Sequence, residues 1–150
     1  MSFSLSTRSL DKLDGVDPSL VSVVKRAIAL TKIDFGVVYG MRTEEEQEKL
    51  FAAGKSQTMK SKHLVGRAVD LMAYVDGKGC WELNVYDDLC DAMKAAAKEL
   101  GIAIKWGAAW SEGDICTYPG TAEDAMMKYI DLRRSQSRRP FIDGPHFELM

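Results

Sequence analysis

Two histidines are all this chain has, and each stands in a segment that also offers carboxylates. The first segment is Ser61-Lys62-His63-Leu64-Val65-Gly66-Arg67-Ala68-Val69-Asp70, and the second is Asp143-Gly144-Pro145-His146-Phe147-Glu148. Two neutral imidazoles and a carboxylate are a common ligand set for a catalytic zinc that keeps one position open for water. His63 and Asp70 lie seven positions apart. That spacing is wrong for the HExxH arrangement, in which both histidines share one helical face. It suits a loop histidine followed by a strand carboxylate, with Gly66 between them allowing a turn or a close backbone approach. Asp70 sits in an apolar stretch, where a buried carboxylate needs a partner or a metal. Asp143 stands three positions before His146 on a loop shaped by Gly144 and Pro145. From there a carboxylate can be aimed at a metal-bound water without itself becoming a ligand.

The elements that must position these residues are readable from caps and periodicity. Residues 1–16 form an extended or short helical lead-in. Asp17-Pro18 is an N-cap followed by proline at the first helical position. Leu20, Val23, Val24, Ala27 and Ile28 then recur at helical spacing, which predicts a helix to about Thr31. Phe35–Tyr39 is rich in β-branched and aromatic residues and predicts a short strand. Thr43 and Glu46 form a capping box for a helix that runs to about Ala53 and stops at Gly54. A polar loop over 54–62 leads to His63, and Ala68–Tyr74 predicts a buried strand that carries Asp70. Asp76-Gly77-Lys78-Gly79 is a tight turn. Val85, Leu89, Met93, Ala96, Ala97 and Leu100 mark a long helix ended by Gly101. A strand over 102–106, a Gly-rich surface loop over 107–120 and a helix from Thr121 to about Gln136 follow. A turn and last strand carry His146. The pattern is one α+β domain over 1–150, with a small, mostly antiparallel sheet packed by helices.

Bulk properties narrow the function classes. At 150 residues the chain supports one domain with a real core. A net charge of -2 gives no general attraction to nucleic acid. No apolar run approaches the roughly 20 residues that span a bilayer. The N-terminus lacks the basic start and apolar block of a signal peptide, so the protein is expected in the cytoplasm until something releases it. Cys80, Cys90 and Cys116 are odd in number and show no CxxC, which predicts free, partly buried thiols. Trp106 and Trp110 flank Gly107-Ala108-Ala109, as a groove wall or, for at least one of them, as core. Glu112 and Asp114 leave a second ion in that loop open, though their spacing is not that of an EF-hand. Arg133, Arg134, Arg138 and Arg139 form a basic cluster at a helix end, where they complement the dipole or make weak contact with an anionic envelope.

Ser61-x-His63-x-x-Gly66-x-Ala68-x-Asp70, followed much later by Asp143-x-x-His146, resembles the zinc peptidases that cut bacterial cell-wall peptides. These include D-alanyl-D-alanine carboxypeptidases and dipeptidases and the L-alanyl-D-glutamate endopeptidases of bacteriophage endolysins. The endolysin branch is closest, through Tyr39-Gly40-Met41-Arg42-Thr43, Trp106-Gly107-Ala108-Ala109-Trp110 and the Asp-Gly-x-His-x-Glu-Leu ending. The resemblance spans roughly residues 17–150. It implies a hedgehog/D-Ala-D-Ala-peptidase-like fold and one zinc ion on His63, Asp70 and His146. It implies Asp143 as general base and then acid, and Arg42 beside the substrate as an oxyanion stabiliser. Ser61 is implied to touch substrate or the metal-site loop, and Glu148 to orient a ligand histidine. The implied partner is bacterial peptidoglycan, met by a monomer after release from the host cytoplasm. A D-alanyl-D-alanine carboxypeptidase or dipeptidase, and a catalytically silent zinc module, remain as alternatives.

Overall fold

Strand β2, Ala68–Val75, is the element around which the others are ordered. The computed structural model describes residues 3–55 and 61–150, so residues 56–60 of the expected polar loop lie outside it. Ahead of β2 come α1 (Thr7–Lys12), α2 (Pro18–Leu30), β1 (Asp34–Tyr39), α3 (Glu44–Ala52) and a single 3-10 turn, Lys62–Val65. After it come β3 (Lys78–Cys80), α4 (Leu83–Leu100), β4 (Ile104–Trp106) and α5 (Ala122–Ser135). The chain ends on β5 (His146–Leu149).

All strand pairs are antiparallel. β1 lies along one edge of β2, and β5 and β3 share the other. β5 sits opposite Ala68–Asp70 and β3 opposite Ala73–Val75. β4 adds outside β5. The single α+β domain with a small antiparallel sheet is therefore as expected. Along β2, Val69, Leu71 and Ala73 are buried in the core, while Asp70 and Met72 point to the other face with period two. One strand thus anchors the core and presents a carboxylate to a cleft.

The helices form where their caps and stripes require. Asp17 accepts from Ser19 N, and Leu20, Val23, Val24, Ala27 and Ile28 form the buried stripe of α2. Thr43 and Glu46 cap α3 reciprocally, and Thr121 and Asp124 do the same for α5. In α4, Tyr86, Leu89, Cys90, Met93, Ala96 and Ala97 face the core, and Gly101 closes the helix at φ +70°. These residues join Trp106, Phe147 and Leu71 in one continuous core.

Two features differ from expectation. β3 was read only as part of a turn. Asp76 (φ +53°) and Gly77 (φ +77°) make a hairpin turn with both central residues left-handed, which pairs Lys78–Cys80 back onto β2. The 107–120 segment is more buried than a surface loop: it contains two 3-10 turns, and Ala108, Ala109 and Ile115 enter the core. The three cysteines are free, as expected. Burial raises the Cys90 thiol, and burial with nearby Asp114 pushes Cys116 up to about 12, so both are unreactive thiols at neutral pH.

Candidate metal centre and its cleft

The register of β2 against β5 sets Asp70 directly opposite His146. Asp70 Oδ1 lies 3.1 Å from His146 Nδ1 and 3.3 Å from His63 Nε2. His63 arrives from the 3-10 turn. Ser61 caps that turn by accepting from His63 N at 3.2 Å, and His63 O accepts from Arg42 N at 2.8 Å. Gly66 closes it at φ +70°, and a Cβ there would stand 2.3 Å from Gly15 O, so only glycine fits. The three side chains offer ligand atoms that all lie within 4.8 Å of one another.

Hydrogen bonding fixes which ring nitrogen each histidine offers. His63 Nδ1 is 2.7 Å from Gly40 O, a carbonyl that can only accept, so Nδ1 carries the proton. That leaves the Nε2 lone pair free; this atom is buried and has no hydrogen-bond partner. His146 is held the other way round. Its Nε2 is 2.8 Å from Glu148 Oε1, and its Nδ1 faces Asp70 Oδ1 at 3.1 Å. Glu148 Oε2 is in turn 3.2 Å from Lys62 Nζ, and Lys62 also donates to Leu149 O. A buried imidazole nitrogen without a hydrogen-bond partner, a carboxylate and a second imidazole nitrogen facing the same carboxylate oxygen are a donor set that suits zinc. The donor set fits the metal that the motifs imply.

The electrostatics agree with the geometry. Burial opposes ionisation of Asp70, but the hydrogen bond with His146 and the closeness of His63 prevail and hold it well below the usual carboxylate range. Burial would lower His146, yet Asp70 and Glu148 raise it to about 9. Asp143 moves the other way. Burial, reinforced by the charge of Asp70, raises its carboxyl.

Asp143 reaches the cleft on a loop fastened from behind. Its N–H donates to Gly107 O at 2.8 Å, and its own carbonyl accepts from His146 N at 3.1 Å. The Trp106 indole donates to Gly144 O at 2.8 Å. A Cβ at Gly107 would stand 2.3 Å from Asp143 O, so glycine is required for this approach. The two tryptophans therefore divide the two expected roles. Trp106 is fully buried and anchors the loop, whereas Trp110 packs its ring 5.4 Å from the His146 ring and lines the cleft.

Arg42 is buried in the cleft wall and donates to Asp70 Oδ2 at 3.4 Å and Gln47 Oε1 at 2.6 Å. It thus orients the outer oxygen of Asp70, an engagement that sequence reasoning did not foresee. Lys62 and Gln47 were also missed. Lys62 adjoins His63, but its partner Glu148 is 86 positions away, a separation no local pattern spans. Glu112 pairs with Lys128 at 3.1 Å, and Asp114 Oδ1 accepts from Cys116 N and Ile104 N, so both carboxylates serve local structure. Of the basic cluster, Arg134, Arg138 and Arg139 are exposed, and Arg133 donates to Arg139 O.

These residues surround a cleft of about 460 Å³ that holds Asp70, His63, His146, Asp143 and Arg42, with Tyr39, Trp81, Trp110 and Phe141 among its walls. A model of the phage L-alanyl-D-glutamate peptidase family matches residues 1–150. The chain belongs to that family. The L-alanyl-D-glutamate peptidase of Escherichia phage T5 is 37% identical over 154 aligned residues that cover all of both chains. That of Listeria phage A118 is 35% identical over 71 residues, 47% of this chain and 24% of the relative. Among solved structures, the L-Ala D-Glu endopeptidase ChiX of Serratia marcescens superposes with a TM-score of 0.73 at 32% identity, covering 100% of this chain and 90% of that one. The endolysin branch read from the sequence motifs is the branch these matches identify.

Proposed function

We propose that this phage peptidase is a zinc-dependent endopeptidase that hydrolyses the L-Ala–D-Glu bond of the peptidoglycan stem peptide during host lysis. The observation that supports the zinc reading is the convergence on Asp70 Oδ1 of His63 Nε2, buried and without a hydrogen-bond partner, and His146 Nδ1. Zinc bound by these three residues supplies Lewis acidity for the scissile carbonyl and lowers the pKa of water. Asp143 takes the proton of the attacking water and returns it to the departing D-Glu nitrogen. Its raised pKa suits both transfers. Arg42 holds Asp70 and adds positive charge to the wall beside the reacting carbonyl, where negative charge develops. Ser61 fixes the His63 turn and gives the cleft a polar edge. Glu148 fixes the tautomer of His146.

Among the described residues no helix is long and apolar enough to cross a membrane. The proposed route to the wall is therefore release through a lesion made by another protein, with the chain acting as a monomer. The exposed arginines after α5 make at most a weak contact with anionic envelope components. The test uses protein stripped of metal and a synthetic stem peptide. One equivalent of zinc should restore cleavage between L-Ala and D-Glu. Full cleavage by rigorously zinc-free protein would refute the metal assignment.

A further inference from the structure

The cleft is chemically polarised along β2, and so is the bond it is proposed to cut. Glu148, which pairs with Lys62, lies opposite Ala68, His146 lies opposite Asp70, and Cys80 lies opposite Ala73. Five residues of strand separate Ala68 from Ala73, about 16 Å. The metal ligands therefore stand between the Lys62–Glu148 ion pair at one end and the indole of Trp81, the residue after Cys80, at the other. Lys55, exposed and in no ion pair among the described residues, joins Arg42 and Lys62 as a cation of the cleft lining.

Trp81 is built as a platform. It is 61% exposed, unusual for the largest side chain, yet it lines the same cleft as the metal ligands. Its inner face stacks on Tyr86 at 6.2 Å and 11° between planes. Tyr86 is itself buried, and its hydroxyl is fixed by donating to Cys80 O at 2.9 Å and accepting from Ala73 N at 3.2 Å. The indole is thus held flat, with its outer face towards solvent. The core does not need that face, so packing does not account for its position.

The substrate has a matching asymmetry. On the amino side of the L-Ala–D-Glu bond, L-Ala is joined through an uncharged lactyl amide to N-acetylmuramic acid, so a sugar ring lies one residue from the reacting carbonyl. On the other side lie the free carboxylate of D-Glu and those of the next residues. A pyranose presents a face of C–H groups that packs on an indole, whereas carboxylates favour the cationic side chains of the lining, Lys55 and Arg42. We propose that Trp81 is the subsite for the muramyl sugar, so that the enzyme takes stem peptide still attached to glycan in preference to free peptide. This rests on the proposed L-Ala–D-Glu endopeptidase reading.

The test compares kcat/KM on a disaccharide-tetrapeptide and on the same tetrapeptide without sugar, for the zinc-loaded wild type and Trp81→Ala. Remote contacts of this kind are realised as rate on the larger substrate. The wild type should prefer the sugar-bearing substrate by about tenfold or more, and Trp81→Ala should reduce that preference to about twofold, with Trp81→Phe restoring part of it. Unaltered zinc content and circular dichroism establish that the variant is folded. Equal rates for the wild type on both substrates, or a Trp81→Ala variant that keeps the full preference, overturn the sugar subsite while leaving the peptidase reading intact. Cleavage of neither substrate at L-Ala–D-Glu overturns both.

Discussion

At the scale of single residues, the proposed centre gives each ionisable group one task and a neighbour that enforces it. Asp143 must be deprotonated to accept the proton of water, and burial beside Asp70 raises its pKa. Activity should therefore fall as pH drops through a value above that of an ordinary aspartate, because the base is lost on protonation. Asp143→Asn should keep zinc and lose about 100- to 10,000-fold in kcat, read by metal analysis alongside peptide cleavage. Glu148 acts one bond further out, through the N–H of His146. Glu148→Gln should weaken zinc binding roughly 10- to 100-fold, measured by chelator competition. In the metal-free protein His146 is raised to about 9, so at pH 7 it carries a proton that zinc must displace. Titration calorimetry in buffers of different ionisation heat should register release of roughly one proton per zinc bound. The His63, Asp70 and His146 cluster, which could hold a metal ion, was legible from residue type, spacing and the family resemblance. Arg42 was legible as a candidate site residue, but its grip on Asp70 was not, because that contact joins residues 28 positions apart.

At the scale of elements, two glycines decide whether the ligands meet. Gly66 ends the turn that carries His63, and Gly107 lets the strand before it pass against the Asp143 carbonyl. At both positions a Cβ would stand 2.3 Å from a backbone oxygen, which cannot move aside as a flexible side chain could. Gly107→Ala should cost about 1–3 kcal/mol in urea unfolding and should also displace Asp143, lowering activity in the fraction that remains folded. Long helices and caps were readable because their signals are local: the Thr43–Glu46 and Thr121–Asp124 boxes and the Asp17-Pro18 start all form as read. β3 was not readable. Its three residues, Lys78-Gly79-Cys80, carry no alternating pattern, and they are a strand only because the left-handed Asp76-Gly77 turn returns them to β2. The 107–120 segment misled for a related reason. Its glycines signal irregular backbone, which does not distinguish a loop at the surface from one whose Ala108, Ala109 and Ile115 fill the core.

At the scale of the whole molecule, the ligands come from a 3-10 turn, a central strand and the last strand, so one ion would tie together segments up to 83 positions apart. Zinc should accordingly stabilise the fold, since it binds the assembled site far better than the open chain. Chelation should lower Tm by several degrees, on the order of 2–4 °C for each kcal/mol lost, and added zinc should restore it. The same architecture leaves one face of β2 to the core and the other to a cleft wide enough for a peptide chain. The central claim is the bond cut in that cleft. Its most direct test is mass spectrometry of the new termini formed when zinc-loaded protein digests purified peptidoglycan. The expected result is new amino-terminal D-Glu, with L-Ala left on the glycan. Release of free D-Ala with the L-Ala–D-Glu bonds intact would contradict it.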